Sequence, residues 1–170
     1  HLDVVNRLLE IESVSANAAA EYNSALIIAA ANGHLDVVNR LLEIDEVKTK
    51  AAACDNAALR RAAENGHCNL VDRLLEIEEV SANATAEDNE ALRWAAEEGH
   101  LEVVNRLLEI NEVSANAVAV NNYALIKAAK NGHLEVVNRL LEMPVVRMNA
   151  AERNNYALMC AACYGHLEVV

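Results

Sequence analysis

The sequence predicts an all-α solenoid of stacked helix–turn–helix repeats, with little or no β-structure. All five glycines are followed by histidine, and these pairs recur every 33 residues, which indicates one supersecondary unit repeated along the chain. The 170 residues are 54% apolar but contain no Phe and one Trp. A core of small aliphatic side chains suits thin helices that pack closely. The pairs are Gly33-His34, Gly66-His67, Gly99-His100, Gly132-His133 and Gly165-His166.

The residues before each Gly-His pair form the first helix of a repeat. In one copy, Leu92, Ala95 and Ala96 recur at the spacing of one helix face. Asn89 is a suitable N-cap for this helix, and Gly99 supplies the left-handed residue that ends it. The same pattern predicts first helices near 24–32, 57–65, 90–98, 123–131 and 156–164.

The residues after each pair form a second helix. His100 opens one whose apolar stripe includes Leu101, Val104 and Leu107, and the tight turn before it makes the two helices antiparallel. Second helices are predicted near 2–11, 35–44, 68–77, 101–110 and 134–143, and a sixth begins at His166.

The repeats form a single predicted array over residues 1–170, with partial repeats at both ends. His1 stands one period before His34, so the array is cut through a second helix at each end. Solenoids usually end in polar caps, and without them we expect end-to-end self-association. The repeats span approximately 1–12, 13–45, 46–78, 79–111, 112–144 and 145–170.

The run Ala-Ala-x-x-Gly-His-Leu-Glu-Val-Val-x-x-Leu-Leu-Glu recurs in phase and resembles the ankyrin repeat. The resemblance implies stacked helix pairs that bind proteins along a concave face formed by the first helices. The family's Thr-Pro-Leu-His opening is absent, so we expect asparagines to cap the first helices instead: Asn23, Asn56, Asn89, Asn122 and Asn155. The glycine of the family's β-hairpin turn is also absent, which predicts irregular or partly helical linkers.

Composition excludes several partner classes. A net charge of −12, from 26 acidic and 14 basic residues, disfavours nucleic acid and anionic membranes as partners. The four cysteines lack the spacing of a disulfide framework, which favours a reducing compartment such as the cytoplasm. If the array belongs to an effector, that compartment would be inside a host cell.

The repeated polar residues predict no catalysis, metal or cofactor. Equivalent positions on stacked helices lie about 8–10 Å apart, whereas zinc ligands lie within about 2.3 Å of the metal. The histidines are therefore expected to fix the turn between helices. Cys160 and Cys163 lie too late in a first helix to form a thiol redox site. The sequence has no phosphate-binding glycine loop and no nucleophile–base motif.

The positions that vary between repeats are the candidates for recognition. The residue before the paired alanines is Ile28, Arg61, Trp94, Lys127 or Cys160, and the resemblance implies that this stripe faces the concave groove. Tryptophan is enriched at binding hot spots. A competing interpretation is that Arg60–Glu64 and Arg93–Glu97 are helix pairs that only solvate the surface. The predicted partner-binding residues are Ile28, Arg60, Arg61, Arg93, Trp94, Glu97, Lys127, Lys130 and Tyr164.

The sequence therefore predicts a protein–protein interaction module without catalysis of its own. Three alternatives stay open at this point: the repeat portion of a larger effector or enzyme, an engineered consensus-like scaffold, and a structural spacer.

Overall fold

The structure is a computed structural model that describes residues 2–169, apart from the side chains of residues 152 and 153. His1 and Val170, which the sequence placed in partial repeats, lie outside the described residues. The described residues form helices and turns and include no strand, which confirms the predicted fold class. In chain order the helices are α1 (Leu2–Leu9), α2 (Glu12–Ser15), α3 (Ala20–Ala31), α4 (Leu35–Leu41), α5 (Asp45–Thr49), α6 (Ala53–Glu64), α7 (Cys68–Leu75), α8 (Glu78–Ala82), α9 (Ala86–Glu97), α10 (Leu101–Leu108), α11 (Asn111–Ala115), α12 (Ala119–Asn131), α13 (Leu134–Leu141), α14 (Pro144–Met148) and α15 (Glu152–Tyr164).

The first helices are α3, α6, α9, α12 and α15, and the second helices are α1, α4, α7, α10 and α13. The second helices end two or three residues earlier than predicted, because residues such as Ile110 adopt extended backbone (φ −82°, ψ 119°). A short helix then starts in each linker, so the expectation of partly helical linkers is confirmed. The predicted sixth second helix is wrong within the described residues, since 167–169 form a turn.

The chain divides into two compact units, unit 1 (1–83) and unit 2 (84–170). In unit 2, α9 packs on α12, and α12 packs on α15. Ala95, Ala96, Ala128 and Ala129 are buried on these first helices, and their small side chains let the helix backbones approach closely. Within unit 1, α3 packs on α6. None of the helices in the described part is long and apolar enough to cross a membrane.

Each first helix begins with a left-handed kink rather than a simple cap. In α9 the residues Glu87, Asp88 and Asn89 all have positive φ (52°, 55° and 66°), and right-handed helix follows from residue 90, where the sequence predicted it. A left-handed residue other than glycine costs about 1–2 kcal/mol, so the kink needs compensating interactions.

The asparagines that end the kinks of α3, α6, α9 and α12 provide such an interaction, and their predicted N-cap role is wrong. The N-cap role predicted for Asn155 is also wrong, because its backbone is left-handed (φ 62°). Asn89 Nδ2 donates to the Val113 and Asn116 carbonyls, at 2.8 and 3.1 Å, where α11 of the next repeat ends. The side-chain oxygen, which an N-cap would use, accepts no hydrogen bond among the described residues. The physical reason is the backbone: N-caps are extended, whereas this residue is left-handed. The Asn ladder, as we call it, comprises Asn23, Asn56, Asn89 and Asn122, all buried, each bonded in this way to the next repeat.

The Gly-His pairs also connect neighbouring repeats. Gly99 ends α9 in left-handed backbone (φ +80°), and a Cβ at this position would lie 2.5 Å from the His133 ring. The His133 ring in turn forms a 3.0 Å hydrogen bond between Nε2 and the Glu97 carbonyl at the end of α9. Equivalent ring-to-carbonyl bonds join His67 to Ala31 and His166 to Lys130. The histidines therefore hold one repeat against the preceding one.

The second helices carry a third set of bonds between repeats. Arg139 Nε donates to Asn105 Oδ1 at 2.7 Å in unit 2. In unit 1, Arg73 bonds to Asn39 in the same way at 2.8 Å. The Asn-Arg runs of the second helices therefore join successive repeats within each unit.

Candidate protein-binding surface

Four of the chain's five aromatic residues lie on first helices of unit 2. They include Trp94, half-buried on α9, and Tyr123, half-buried on α12. Tyr156 and Tyr164 lie on α15, with 42% and 57% of their surface exposed. Several charged residues that the sequence singled out lie beside them. We define the aromatic patch as three of these aromatic residues and the four charged residues beside them: Arg93, Trp94, Glu97, Tyr123, Lys127, Lys130 and Tyr164.

An ion pair joins α9 to α12 within the aromatic patch. Lys127 Nζ lies 2.5 Å from Glu97 Oε1, and about a fifth of each side chain is exposed (21% and 23%). The Tyr123 hydroxyl donates to the other Glu97 oxygen at 3.5 Å. Burial alone would lower the pKa of Lys127, but the hydrogen bonds with Glu97 and Tyr123 outweigh it and raise that pKa above 10.5. Lys127 is therefore charged at neutral pH, and the stability contributed by its raised pKa is lost as pH rises through that pKa.

The Tyr123 ring is held by two cations. The Arg93 guanidinium lies 5.2 Å from the ring centroid, and Lys127 Nζ lies 4.9 Å from it. Arg93 also donates to the Asp88 and Glu87 carbonyls, at 3.1 and 2.8 Å, and so braces the left-handed kink of α9. The Arg93–Glu97 ion pair considered from sequence is wrong, because Glu97 binds Lys127 of the next repeat instead.

A second contact lies at the end of the aromatic patch formed by α12 and α15. Lys130 Nζ lies 5.3 Å from the centroid of the Tyr164 ring. The backbone beneath this contact is fixed, because the Lys130 carbonyl accepts a 2.9 Å hydrogen bond from the His166 ring. Lys130 and Tyr164 thus form a positioned pair on the surface of unit 2.

The other three predicted residues lie in unit 1 and have different surroundings. Arg60 donates to the Cys54 carbonyl at 2.9 Å, and Arg61 pairs with Glu64 at 2.7 Å. Ile28 is 61% exposed and lines an apolar groove of about 540 Å³ between α1, α2 and α3. Self-association through an apolar face of this kind stays a prediction of the sequence.

Sequence reasoning missed Tyr123, which contacts three members of the aromatic patch. A signal was present, because Tyr123 occupies a position that varies between repeats as strongly as the chosen stripe does. The residues at this position are Ser24, Ala57, Glu90, Tyr123 and Tyr156. The same position belongs to the segment that departs from the family's Thr-Pro-Leu-His opening, so its variation reads equally well as loss of that motif.

Comparisons with known proteins agree with this architecture. The family model described as ankyrin repeats (3 copies) matches residues 1–88, 44–119 and 92–170. The X-ray structure of an ankyrin repeat family protein from Legionella pneumophila is 37% identical, with a TM-score of 0.69 over 78% of the chain. The match covers 40% of that protein's length. No curated protein sequence matches the chain. Ankyrin repeat proteins are generally protein-interaction modules and are typically non-catalytic. The chain belongs to the ankyrin repeat family.

Proposed function

We propose that the chain is a non-catalytic module that binds a protein partner through the aromatic patch of unit 2. The observation that carries this proposal is the presence in the patch of three of the chain's five aromatic residues, Trp94, Tyr123 and Tyr164, together with three basic side chains. Trp, Tyr and Arg are the side chains most enriched at binding hot spots. The patch therefore has the composition of a recognition surface.

The surroundings of Tyr123 support the same proposal. Arg93 and Lys127 hold its ring, and Glu97 accepts a hydrogen bond from its hydroxyl. A side chain that is already ordered loses less conformational entropy on binding than a mobile one. This part of the patch is therefore organised before a partner arrives.

The use of the histidines supports a role without catalysis. The rings of His67, His133 and His166 each bond to a carbonyl of the preceding repeat. A general base must reach a substrate proton with a free ring nitrogen. In these histidines Nε2 is hydrogen-bonded and Nδ1 packs close to the glycine of the preceding repeat, so both nitrogens face the contact between repeats.

Truncation of the patch tests the proposal directly. The partner is first captured from source lysate with the wild-type chain and then purified. We expect Trp94→Ala to weaken the affinity for this partner by tenfold or more, since hot-spot truncations cost about 2 kcal/mol. The affinity is measured by isothermal titration calorimetry. Glu109→Ala, which changes an exposed carboxylate on the second-helix side, serves as the control and should leave affinity unchanged. Circular dichroism checks that both variants fold. Equal affinities for all three proteins would show that the patch is not the binding surface.

A further inference from the structure

The aromatic patch contains a basic region on an otherwise acidic chain. Residues 119–131 of α12 include Lys127 and Lys130 and no Asp or Glu. Residues 154–164 of α15, whose side chains the structure describes, carry no charged group. With a net charge of −12 for the whole chain, this positive surface stands apart from the general composition.

The two lysines of α12 differ in how their charge is used. Lys127 is paired with the Glu97 carboxylate at 2.5 Å. Lys130 has no carboxylate within ion-pair distance among the described side chains and lies over the Tyr164 ring. An aromatic ring attracts a cation but carries no net charge to cancel it. Lys130 therefore keeps an uncompensated positive charge beside an exposed aromatic side chain.

We propose that Lys130 and Tyr164 receive an acidic segment of a protein partner. A partner carboxylate meets Lys130 Nζ, and an apolar or aromatic residue next to it covers the exposed side of Tyr164, which is 57% exposed. The proposal rests on the proposed function and specifies the chemistry of the partner. Charge complementarity selects this occupant, because the positive charge and the apolar surface lie side by side.

The net negative charge of the chain does not oppose such binding at short range. Charges farther apart than about 8 Å are largely screened at physiological salt. The carboxylate therefore responds mainly to Lys130 and its immediate surroundings. Nonspecific attraction to this acidic protein would favour basic peptides, so selection of acidic ones is a discriminating result.

The test is selection of random 12-residue phage-displayed peptides on the immobilised full chain. We expect the selected peptides to be enriched in Asp or Glu next to an aromatic or aliphatic residue. Synthetic versions should bind Lys130→Glu at least about tenfold more weakly than wild type. Lys48→Glu makes the same charge change at an exposed lysine of α5 in unit 1, and it should change affinity less than twofold. Lys130→Gln, which removes the charge without reversing it, should give an intermediate loss.

The outcomes separate this proposal from the proposed function. Peptides without acidic enrichment, or equal losses for the Lys130 and Lys48 variants, would overturn the proposal. If such peptides still lost affinity with Trp94→Ala, the proposed function would stand. If no selected peptide lost affinity with Trp94→Ala or Tyr164→Ala, both this proposal and the proposed function would be contradicted. If Lys130→Glu does not fold, the losses of peptide affinity in Lys130→Gln and Lys48→Gln are compared instead, and equal losses would overturn the proposal.

Discussion

Replacing Gly99 by alanine is expected to lower the free energy of unfolding by about 2–4 kcal/mol, as the sum of left-handed strain and overpacking. Gly99 has φ +80°, and the new Cβ would lie 2.5 Å from His133 Nδ1. The ring cannot move aside freely, because it is bonded to the Glu97 carbonyl. Urea denaturation followed by circular dichroism measures the effect.

Gly165→Ala is the matched control for this substitution. Gly165 has nearly the same φ of +78°, but among the described residues nothing lies within 4 Å of an added Cβ. Gly165→Ala should therefore lower the free energy of unfolding only by the cost of a left-handed residue other than glycine, about 1 kcal/mol. Adding His133→Ala to Gly99→Ala should recover part of the loss, because it removes the atoms that clash. Equal losses at Gly99 and Gly165, without recovery in the double variant, would refute the contact between repeats.

The second large effect is expected for Asn89→Ala, at about 3 kcal/mol, since it removes the donor from one buried carbonyl and one of two donors from a second carbonyl, and adds left-handed strain. The two carbonyls belong to Val113 and Asn116. Asn89 is 1% exposed, so water does not readily replace the lost donor. Thermal and urea unfolding of the variant give the measurement.

Asn155→Ala separates the two causes. Asn155 has the same left-handed backbone (φ 62°) but is exposed, and no side-chain hydrogen bond from it is found in the described part of the chain. Its replacement should cost about 1 kcal/mol, from backbone strain alone. An Asn155 variant as unstable as the Asn89 variant would mean that the Asn ladder contributes little.

Local patterns predicted much of the fold. The starts of the first helices follow from apolar spacing and from the position of asparagine, and their ends follow from glycine, so each was accessible from a few adjacent residues. The early ends of the second helices were not predicted, because residues such as Ile110 adopt extended backbone in the linker. An apolar residue continues the stripe equally well in either conformation, so the pattern alone cannot distinguish them.

The side-chain partners were harder to predict, because they lie one repeat away. The Asn ladder joins residues 24 and 27 positions apart, whereas the N-cap rule considers only the next three residues. Glu97 likewise binds Lys127, 30 positions on, rather than Arg93. Once helices of adjacent repeats pack side by side, such contacts compete with those along a helix, and only the structure decides between them.

The candidate surface was predicted in composition but not in arrangement. Variation between repeats pointed to Trp94, Lys127 and Lys130, while the different uses of the two lysines depend on where Glu97 and Tyr164 lie. Sequence variation identifies positions that stacking does not constrain. It does not show which charges are already neutralised within the fold.

Site-specific photo-crosslinking tests most directly the claim that the partner binds the first-helix surface of unit 2. Benzoylphenylalanine replaces Tyr164 in one variant and Glu109, an exposed residue directly after the second helix α10, in another. Each variant is irradiated with the purified partner and the products are identified by mass spectrometry. The account predicts a crosslink from position 164 and none from position 109. A crosslink from position 109 without one from 164 would contradict it.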